Sequence, residues 1–361
     1  MNSLVQLADQ KAQHETPSAA CDEIDSEAGP SGRISSLPIL LLNVHEHCNC
    51  RCLMCDIWKR KDGRELDLAD FARHRDSLLQ LGVHNVVLTG GEPLLHSNFE
   101  ALCDFLKGCG VRITLLTTGL LLGKRAAILG RTVDEIIVSL DGPEEIHDRV
   151  RRVKGAFRFI ADGIRNVGRY DSGIAFHGRC TIQKANHLWL RQTVLVAKIL
   201  GLGSISFLAA DASSRAFNRE LVWPGEKQNE IMLTRSEVEK LEAEVEALLL
   251  ENAADIRAGY IRESESKLRR IVRRFREHLG DVEPIAPLCN APWVSAVYEV
   301  DGSIRPCFFH RKIGDARSSS LEGALNSDDA VRFRSSLDVS SNDICRSCVC
   351  SLNFGAGRRP G

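Results

Sequence analysis

The sequence lacks any apolar run near the ~20 residues that a transmembrane helix requires. It also lacks an excess of charge, since 47 Lys and Arg residues stand against 48 Asp and Glu residues. This balance gives no reason to expect nucleic acid or an anionic membrane as an obligatory partner. Residues 1–36 are polar and contain no apolar core of signal-peptide length, so we expect a cytoplasmic protein with a disordered N-terminal tail.

What the sequence does have is cysteine, at 13 positions. In a cytoplasmic chain that many thiols favour metal binding over disulfides. Cys48, Cys52 and Cys55 have C-x3-C-x2-C spacing and directly follow an apolar, strand-like run. A four-iron cluster is usually held by four protein sulfurs, so a loop that supplies three leaves one iron open to another ligand. Cys50 lies inside this loop and could replace one of the three.

A second motif stands at the end of the next strand-like run, where Gly90 and Gly91 are followed by Glu92 and Pro93. Glycines let a backbone approach a ligand closely, and a carboxylate complements an ammonium group. The two motifs together resemble those of the radical S-adenosylmethionine (SAM) enzymes. The resemblance implies that SAM chelates the open iron of a [4Fe-4S] cluster. It also implies that Gly90, Gly91 and Glu92 bind the amino group of SAM.

The same resemblance implies a reaction. One electron from a flavodoxin or ferredoxin-type donor splits SAM into methionine and a 5'-deoxyadenosyl radical, which abstracts hydrogen from an unactivated carbon. The cofactor supplies the radical, and the protein supplies position and exclusion of water.

Strand-like and helix-like patterns alternate six times along the first part of the chain. The strand-like runs lie at residues 39–44, 85–89, 111–117, 135–140, 174–182 and 204–209. This order predicts an α/β fold of parallel strands with right-handed crossovers. Six units are too few for a closed eight-stranded barrel, and the resemblance implies an open, partial (β/α)6 barrel. Its active site is expected at the carboxyl ends of the strands, where both motifs fall.

Two other strand ends carry candidate residues. In the segment that begins Ser139-Leu140-Asp141, the resemblance implies that Ser139 contacts the ribose of SAM and that Arg151 pairs with its carboxylate. The alternative is that Asp148 and Arg151 only cap and brace the next helix. Asp211 follows the sixth strand and is a catalytic candidate, although a loop aspartate is more often a cap or turn residue.

After Asp211 the alternation stops, and a helical insertion is expected. Thr234 and Glu237 have the spacing of a capping box and open an acidic helix. A second, basic helix is predicted over residues 261–279. The basic helix could form a phosphate or phosphopeptide clamp, but an acidic and a basic helix packed as a hairpin with matched charges is favoured.

The C-terminal part contains a second set of cysteines. Residues 293–309 predict a β-hairpin that turns at Asp301 and Gly302 and brings Cys289 towards Cys307. Cys345 and Cys348 would complete a site of four thiolates. This pattern resembles the Twitch or shortened SPASM domain of radical SAM enzymes, which holds one auxiliary [4Fe-4S] cluster. Four thiolates also bind zinc, so structural zinc is the alternative.

The predicted organisation therefore has a tail at residues 1–36, a radical SAM partial barrel at 37–215 and a helical insertion at 216–285. A small β-hairpin iron-sulfur domain follows at 286–352, and a second tail at 353–361. Cys350 is left without a role.

A fully ligated auxiliary cluster is suited to passing an electron, which would complete a two-electron oxidation of the substrate. Phe308 stands where relatives that mature sulfatases carry an aspartate, which argues against that reaction. His310 is the nearest titratable group and is a second catalytic candidate.

The function favoured by the sequence is modification of a small metabolite, such as a sugar, aminocyclitol or nucleoside, by oxidation, epimerisation or decarboxylation. The alternative is crosslinking or oxidation of a ribosomally made peptide. It ranks second because residues 1–36 are too short for a leader-peptide-binding domain. A further alternative is an iron-sulfur redox or scaffold protein that does not turn over SAM.

Overall fold

The computed structural model describes residues 32–60, 63–170, 173–217, 219 and 221–355. Most of the two predicted tails lies outside the described residues. Residues 32–36 are described, and they are not a tail. The Ile34 amide donates to Asn326 Oδ1 at 2.9 Å, and Arg334 Nε donates to the Gly32 carbonyl at 2.7 Å. The start of the described chain is therefore tied to its C-terminal third.

The strands form one sheet in the order β6-β5-β4-β3-β2-β1-β7-β8-β9. Their bounds are β1 Ile39–His45, β2 Asn85–Gly90, β3 Arg112–Thr117, β4 Glu135–Ser139, β5 Ala175–Ile182, β6 Ser204–Ala209, β7 Ser295–Tyr298, β8 Ser303–Arg305 and β9 Gly314–Asp315. Strands β1 to β6 are parallel, which confirms the predicted α/β architecture. Each predicted strand agrees with an observed one to within one residue at either end.

The C-terminal hairpin is joined to the barrel through this sheet. Strand β7 pairs in parallel with β1 on the side opposite β2, so that Ile39 faces both Asn85 and Ser295. Strands β8 and β9 follow in antiparallel order. Gly302 has φ +76° at the end of the hairpin turn, as the Asp-Gly pair predicts. The sequence pattern gives no sign of the β1–β7 pairing.

Helices cover the sheet and form the insertion. Their bounds are α1 Leu68–Ala72, α2 Arg75–Gln80, α3 Phe99–Gly108, α4 Leu122–Thr132, α5 Glu144–Arg151, α6 Ala156–Val167, α7 Leu190–Ile199, α8 Gly225–Asn229, α9 Arg235–Glu251, α10 Ala253–Arg257, α11 Glu265–His278, α12 Ala291–Val294, α13 Leu321–Leu325, α14 Asp328–Ser336 and α15 Asp343–Arg346. Short 3-10 helices lie at Ile57–Lys59 and Pro93–Leu95. No helix in the described ranges combines the length and apolar character needed to traverse a lipid bilayer.

The insertion is the charge-matched hairpin that the sequence favours. Helix α9 begins with the predicted capping box of Thr234 and Glu237. Ion pairs join it to α11, with Arg269 at 2.8 Å from Glu246 and Arg276 at 2.6 Å from Glu242. Helix α11 begins at residue 265 and not at 261, because Ile261 is bound to Ile205 along the outer edge of β6.

Candidate active site

The double glycine is explained by close backbone contact between the ends of β1 and β2. A Cβ on Gly91 would lie 2.1 Å from the carbonyl oxygen of His47, and one on Gly90 would lie 2.4 Å from that of His45. The Gly91 amide donates to the His45 carbonyl at 2.7 Å, and the Glu92 amide donates to the His47 carbonyl at 2.9 Å. Glycine is therefore required to bring the end of β2 against the start of the cysteine loop, residues 46–56.

Glu92 is fully buried, and its carboxylate is held by the end of β3. Oε1 accepts from Thr117 Oγ1 at 2.8 Å and from the Leu94 amide at 3.1 Å. Oε2 accepts from the amide and the hydroxyl of Thr118 at 2.8 and 2.7 Å. Burial raises the pKa of Glu92, and these donors oppose that rise. The carboxylate is thus fixed beside the cysteine loop.

The cysteine loop is attached to the C-terminal end of α5. The amides of Arg51 and Leu53 donate to the carbonyls of Arg151 and Val150 at 3.3 and 3.1 Å. These bonds place the loop over the ends of the strands. The three predicted ligands, Cys48, Cys52 and Cys55, all lie in this loop.

The sulfur atoms of the loop face hydrogen-bond donors. The Cys50 amide lies 3.5 Å from Cys48 Sγ, and the Ile57 amide lies 3.5 Å from Cys55 Sγ. A hydrogen bond from Cys50 and the nearby Arg151 guanidinium lower the pKa of Cys52. Donors of this kind stabilise the negative charge of cluster sulfurs, so the loop fits a three-cysteine [4Fe-4S] cluster.

Arg151 forms a buried ion pair beside this loop. Its Nε lies 2.6 Å from Asp141 Oδ2, and its Nη1 lies 3.5 Å from Cys52 Sγ. Asp141 Oδ1 also accepts from the Thr181 amide at 3.0 Å, while burial raises the pKa of its carboxyl. Arg151 therefore already has a carboxylate partner, and the SAM carboxylate remains a predicted second one. Ser139 is half-buried at the end of β4.

Asp148 has the helix-capping role that the sequence offered as an alternative. Its carboxylate accepts from the Phe157 amide at 3.0 Å and from the Gly155 amide at 2.5 Å, at the start of α6. These two hydrogen bonds fix the turn between α5 and α6. The turn positions Arg151 at the end of α5.

Asp211 has a partner that the sequence did not predict. Its Oδ2 lies 3.0 Å from Arg219 Nη1, and both side chains are buried. The amides of Ser213 and Ser214 donate to its Oδ1 at 3.1 and 3.2 Å. Trp223 packs on the same guanidinium. No local sequence pattern links these residues, because the link depends on how the loop after β6 turns.

The four C-terminal cysteines line one small cavity. Cys289, Cys307, Cys345 and Cys348 surround it together with apolar side chains and His310. Burial raises the pKa of Cys345 to about 11. The thiols do not close on a single point, since within the described ranges no three or more His, Cys, Asp or Glu side chains are gathered closely enough to hold one metal ion.

His310 lies beside the four C-terminal cysteines and not beside the cysteine loop. Its Nε2 is 3.3 Å from Cys345 Sγ, and its ring packs on Phe333 with the centroids 4.9 Å apart. Burial lowers the pKa of His310. The Cys350 amide lies 3.3 Å from Cys348 Sγ. As in the cysteine loop, hydrogen-bond donors at this site face cysteine sulfurs, so the site fits an iron-sulfur cluster.

A large cleft, which the sequence did not reveal, borders the second site. It has a volume of about 1220 Å³ and lies between α11 and residues 282–288. Arg270 lines it and donates to the carbonyls of Ile285 and Cys348 at 3.2 and 3.3 Å. The exposed side chains of Ile285 and Leu288 give it an apolar side. Glutamates line it too, among them Glu263 and Glu265, so the cleft combines apolar groups with charges of both signs next to the cysteine cavity.

Two known protein families match this chain, one at each cysteine site. Residues 42–179 match the radical SAM superfamily, and residues 289–349 match the SPASM iron-sulfur cluster-binding domain. Among curated proteins, the Fe-coproporphyrin III synthase of Methanosarcina barkeri is 30% identical over 41% of this chain and 38% of its own. The antilisterial bacteriocin subtilosin biosynthesis protein AlbA of Bacillus subtilis is 23% identical over 78% of this chain and 57% of its own.

The chain spans less than two thirds of the length of these curated relatives. Two solved structures share its fold. Streptococcus suis SuiB bound to S-adenosylmethionine has a TM-score of 0.62 at 15% identity, covering 90% of this chain and 75% of that one. Native anSMEcpe with bound AdoMet has a TM-score of 0.62 at 18% identity, covering 86% of each chain.

The cofactors follow from the two matched domains and from the fit of the thiols. They are a SAM-binding [4Fe-4S] cluster, SAM itself and an auxiliary [4Fe-4S] cluster, so the second site holds iron-sulfur and not zinc. The chain belongs to the radical SAM superfamily and carries a SPASM domain at its C-terminal end.

Proposed function

We propose that this protein is a radical SAM enzyme that oxidises or crosslinks a ribosomally made peptide. The observation that carries the proposal is the match to AlbA, a bacteriocin biosynthesis protein, which extends over 78% of this chain. The matches to Fe-coproporphyrin III synthase and to a GTP cyclase extend over only 41% and 37%. Solved structures of the same fold include SuiB bound to its precursor peptide SuiA and anSMEcpe with bound peptides.

This ranking reverses the order that the sequence suggested. There a small metabolite ranks first and a peptide second. The cleft beside α11 offers a place where a peptide could be held. Its volume of about 1220 Å³ leaves room for a peptide segment. Its lining is apolar on one side and carries charges of both signs, so it suits a peptide with apolar and charged residues.

In the proposed reaction the substrate loses two hydrogens. When bound, the cofactors would supply a radical that takes one hydrogen atom and an acceptor for one electron from the resulting substrate radical. The one proton that remains to be lost would pass to solvent. Gly90, Gly91, Glu92, Ser139 and Arg151 are proposed to hold SAM. A flavodoxin or ferredoxin-type protein is the proposed electron donor. The catalytic roles of Asp211 and His310 remain predictions.

The test is anaerobic reconstitution of the full chain with iron and sulfide, followed by incubation with SAM, dithionite and short peptides encoded beside its gene. Mass spectrometry should find a peptide that has lost two hydrogens, with deoxyadenosine formed alongside. A triple variant with Cys48, Cys52 and Cys55 changed to alanine is the control and should form neither product.

Two results would contradict the proposal. If the peptides keep their mass while a sugar or nucleoside fraction stimulates deoxyadenosine formation, the substrate is a small metabolite. If both clusters assemble and SAM is not cleaved under any condition, the protein is a redox or scaffold protein.

A further inference from the structure

The loop that follows β6 reaches the cysteine loop through a buried arginine. Arg219 is held by Asp211, whose carboxylate and carbonyl oxygens lie 3.0 and 2.5 Å from its Nη1 and Nη2. Its Nη2 also lies 3.3 Å from the carbonyl oxygen of Met54. Met54 directly precedes Cys55. One guanidinium therefore connects the end of β6 with the backbone beside an expected cluster ligand.

Trp223 extends the connection to the other side of the same cysteine. The Arg219 guanidinium lies 4.0 Å from the centroid of the Trp223 ring, within the range of a cation–π contact. The indole Nε1 donates to Asp56 Oδ2 at 2.7 Å. Met54 and Asp56, which flank Cys55, are thus held by one unit of Asp211, Arg219 and Trp223. We call this unit the clasp.

Simple bracing of a loop does not explain the charges in the clasp. A buried ion pair carries a desolvation penalty that apolar packing would avoid. Arg219 Nε is buried and has no hydrogen-bond partner among the described residues, so the guanidinium is incompletely satisfied. Because burial of the Arg219 guanidinium costs free energy, its place beside a cluster site suggests that its positive charge has a function there.

The opposite side of the cysteine loop has the same arrangement. There the buried pair is Arg151 and Asp141, with the Arg151 guanidinium 3.5 Å from Cys52 Sγ. Asp141 and Asp211 both follow the ends of parallel strands, β4 and β6. In each pair the arginine contacts the cysteine loop, at Cys52 Sγ for Arg151 and at the Met54 carbonyl for Arg219.

We propose that Arg219 is a positioning residue that fixes Cys55 and eases one-electron reduction of the SAM-binding cluster. A cation close to the cluster stabilises the reduced state, which carries one more negative charge. Asp211 and Trp223 hold the cation in place. This gives Asp211 a role other than the catalytic one expected from the sequence. The proposal rests on the assignment of the cluster to Cys48, Cys52 and Cys55 and is independent of the peptide substrate.

The test is the midpoint potential of the SAM-binding cluster in the reconstituted full chain, measured by redox titration with electron paramagnetic resonance. The signal of this cluster is identified by its change when SAM is added. Arg219→Met should move the potential to a more negative value, because it removes a positive charge while keeping a side chain of similar length. Arg219→Lys should return it most of the way to the wild-type value.

Asp211→Asn should move the potential in the opposite direction, because it removes a negative charge and leaves the arginine. Loss of packing alone would not shift the midpoint potential in opposite directions at two neighbouring residues. Arg191→Met is the matched control, since it breaks an ion pair of 2.9 Å with Glu244 between α7 and α9. That variant should leave the potential unchanged.

The proposal is wrong if Arg219→Met and Asp211→Asn both leave the potential within the range of the Arg191→Met control. It is also wrong if the two shifts have the same sign. If Arg219→Met does not retain the cluster, the sign of the Asp211→Asn shift decides, since that variant keeps the guanidinium. No substrate is needed, so failure here is distinguishable from failure of the peptide proposal.

Discussion

The two iron-sulfur sites of this chain have opposite surroundings. Around the loop of Cys48, Cys52 and Cys55 lie buried charged groups, including Arg151, Arg219 and Glu92. The second site is a small cavity lined by cysteines, apolar side chains and one histidine. The first cluster binds a charged cofactor, and the buried polar groups beside it can orient that cofactor. The second is proposed only to pass electrons, and its cavity is mainly apolar. The surroundings therefore match the two proposed tasks.

The sites also differ in how they are assembled. The first takes its thiols from a single loop, whereas the second draws on Cys289, Cys307 and the pair Cys345 and Cys348, which lie far apart in the sequence. Bringing distant segments together costs more chain entropy than closing a short loop. The thiols of the second site should therefore come together only when the whole C-terminal region folds, whereas those of the first already lie close together in one loop.

Removing the first site should have the largest effect. The triple variant Cys48→Ala/Cys52→Ala/Cys55→Ala should lose SAM cleavage entirely, because no open iron remains. Bound iron should fall from about eight to about four atoms per chain, since one of two four-iron clusters is lost. Iron analysis and chromatography of deoxyadenosine measure both quantities. Residual cleavage in the variant would show that the cluster is held elsewhere.

Removing the second site should separate cleavage from oxidation. Cys345→Ala/Cys348→Ala should also lose about four irons per chain but keep SAM cleavage, because its first site is intact. Formation of the oxidised product should stop, since the electron acceptor is gone. Deoxyadenosine and product are quantified in the same reaction. An unchanged ratio of product to deoxyadenosine would mean that the auxiliary cluster does not accept the electron.

A smaller effect is expected where β2 meets the cysteine loop. Gly91→Ala places a Cβ 2.1 Å from the His47 carbonyl oxygen, so the two backbones must separate. The expected loss of unfolding free energy is about 2 kcal/mol, as for other overpacked sites, with weaker retention of the first cluster only. Urea denaturation of the apo chain measures it. Gly225→Ala is the control, since nothing lies within 4 Å of its added Cβ.

The smallest effect concerns the charges of the C-terminal hairpin. A hydrogen bond from Lys312 lowers the pKa of Asp315 to about 2. Because the folded pKa is depressed, its stabilisation is present above the unfolded pKa of about 4 and is lost as the pH falls towards 2. Asp315→Asn should destabilise the apo chain at pH 7 by less than about 1 kcal/mol, because the pair is partly exposed.

Thermal unfolding of wild type and of Asp315→Asn, followed between pH 7 and pH 2.5, checks this last expectation. The difference between the two curves should shrink as the pH falls below about 4. A difference that stays constant with pH would assign the effect to packing and not to charge.

Features fixed by local sequence could be predicted well. The six parallel strands follow from apolar runs separated by helical patterns, and the α9 capping box follows from Thr234 and Glu237 alone. Features that depend on distant contacts could not. The pairing of β7 with β1 is an example, since Ile39 and its partner Ser295 are far apart in the sequence.

Prediction of the candidate sites shows the same division. The cysteines and the double glycine form compact motifs that can be read from spacing. The sequence places Asp211 at a strand end, but its pairing with Arg219 depends on the path of the loop between them. The cleft beside α11 is formed by elements that the sequence does not show to be neighbours.

The pairing of β7 with β1 has a consequence for engineering this chain. Because β1 is bound by β2 on one side and by β7 on the other, the strand that leads into the first cluster loop has no free edge. A shortened chain ending before Ser295 would leave β1 with a row of unpaired backbone groups, which could pair with a second copy of the chain. The C-terminal domain is therefore not an exchangeable module, and grafting one from a relative would require matching the register of β1.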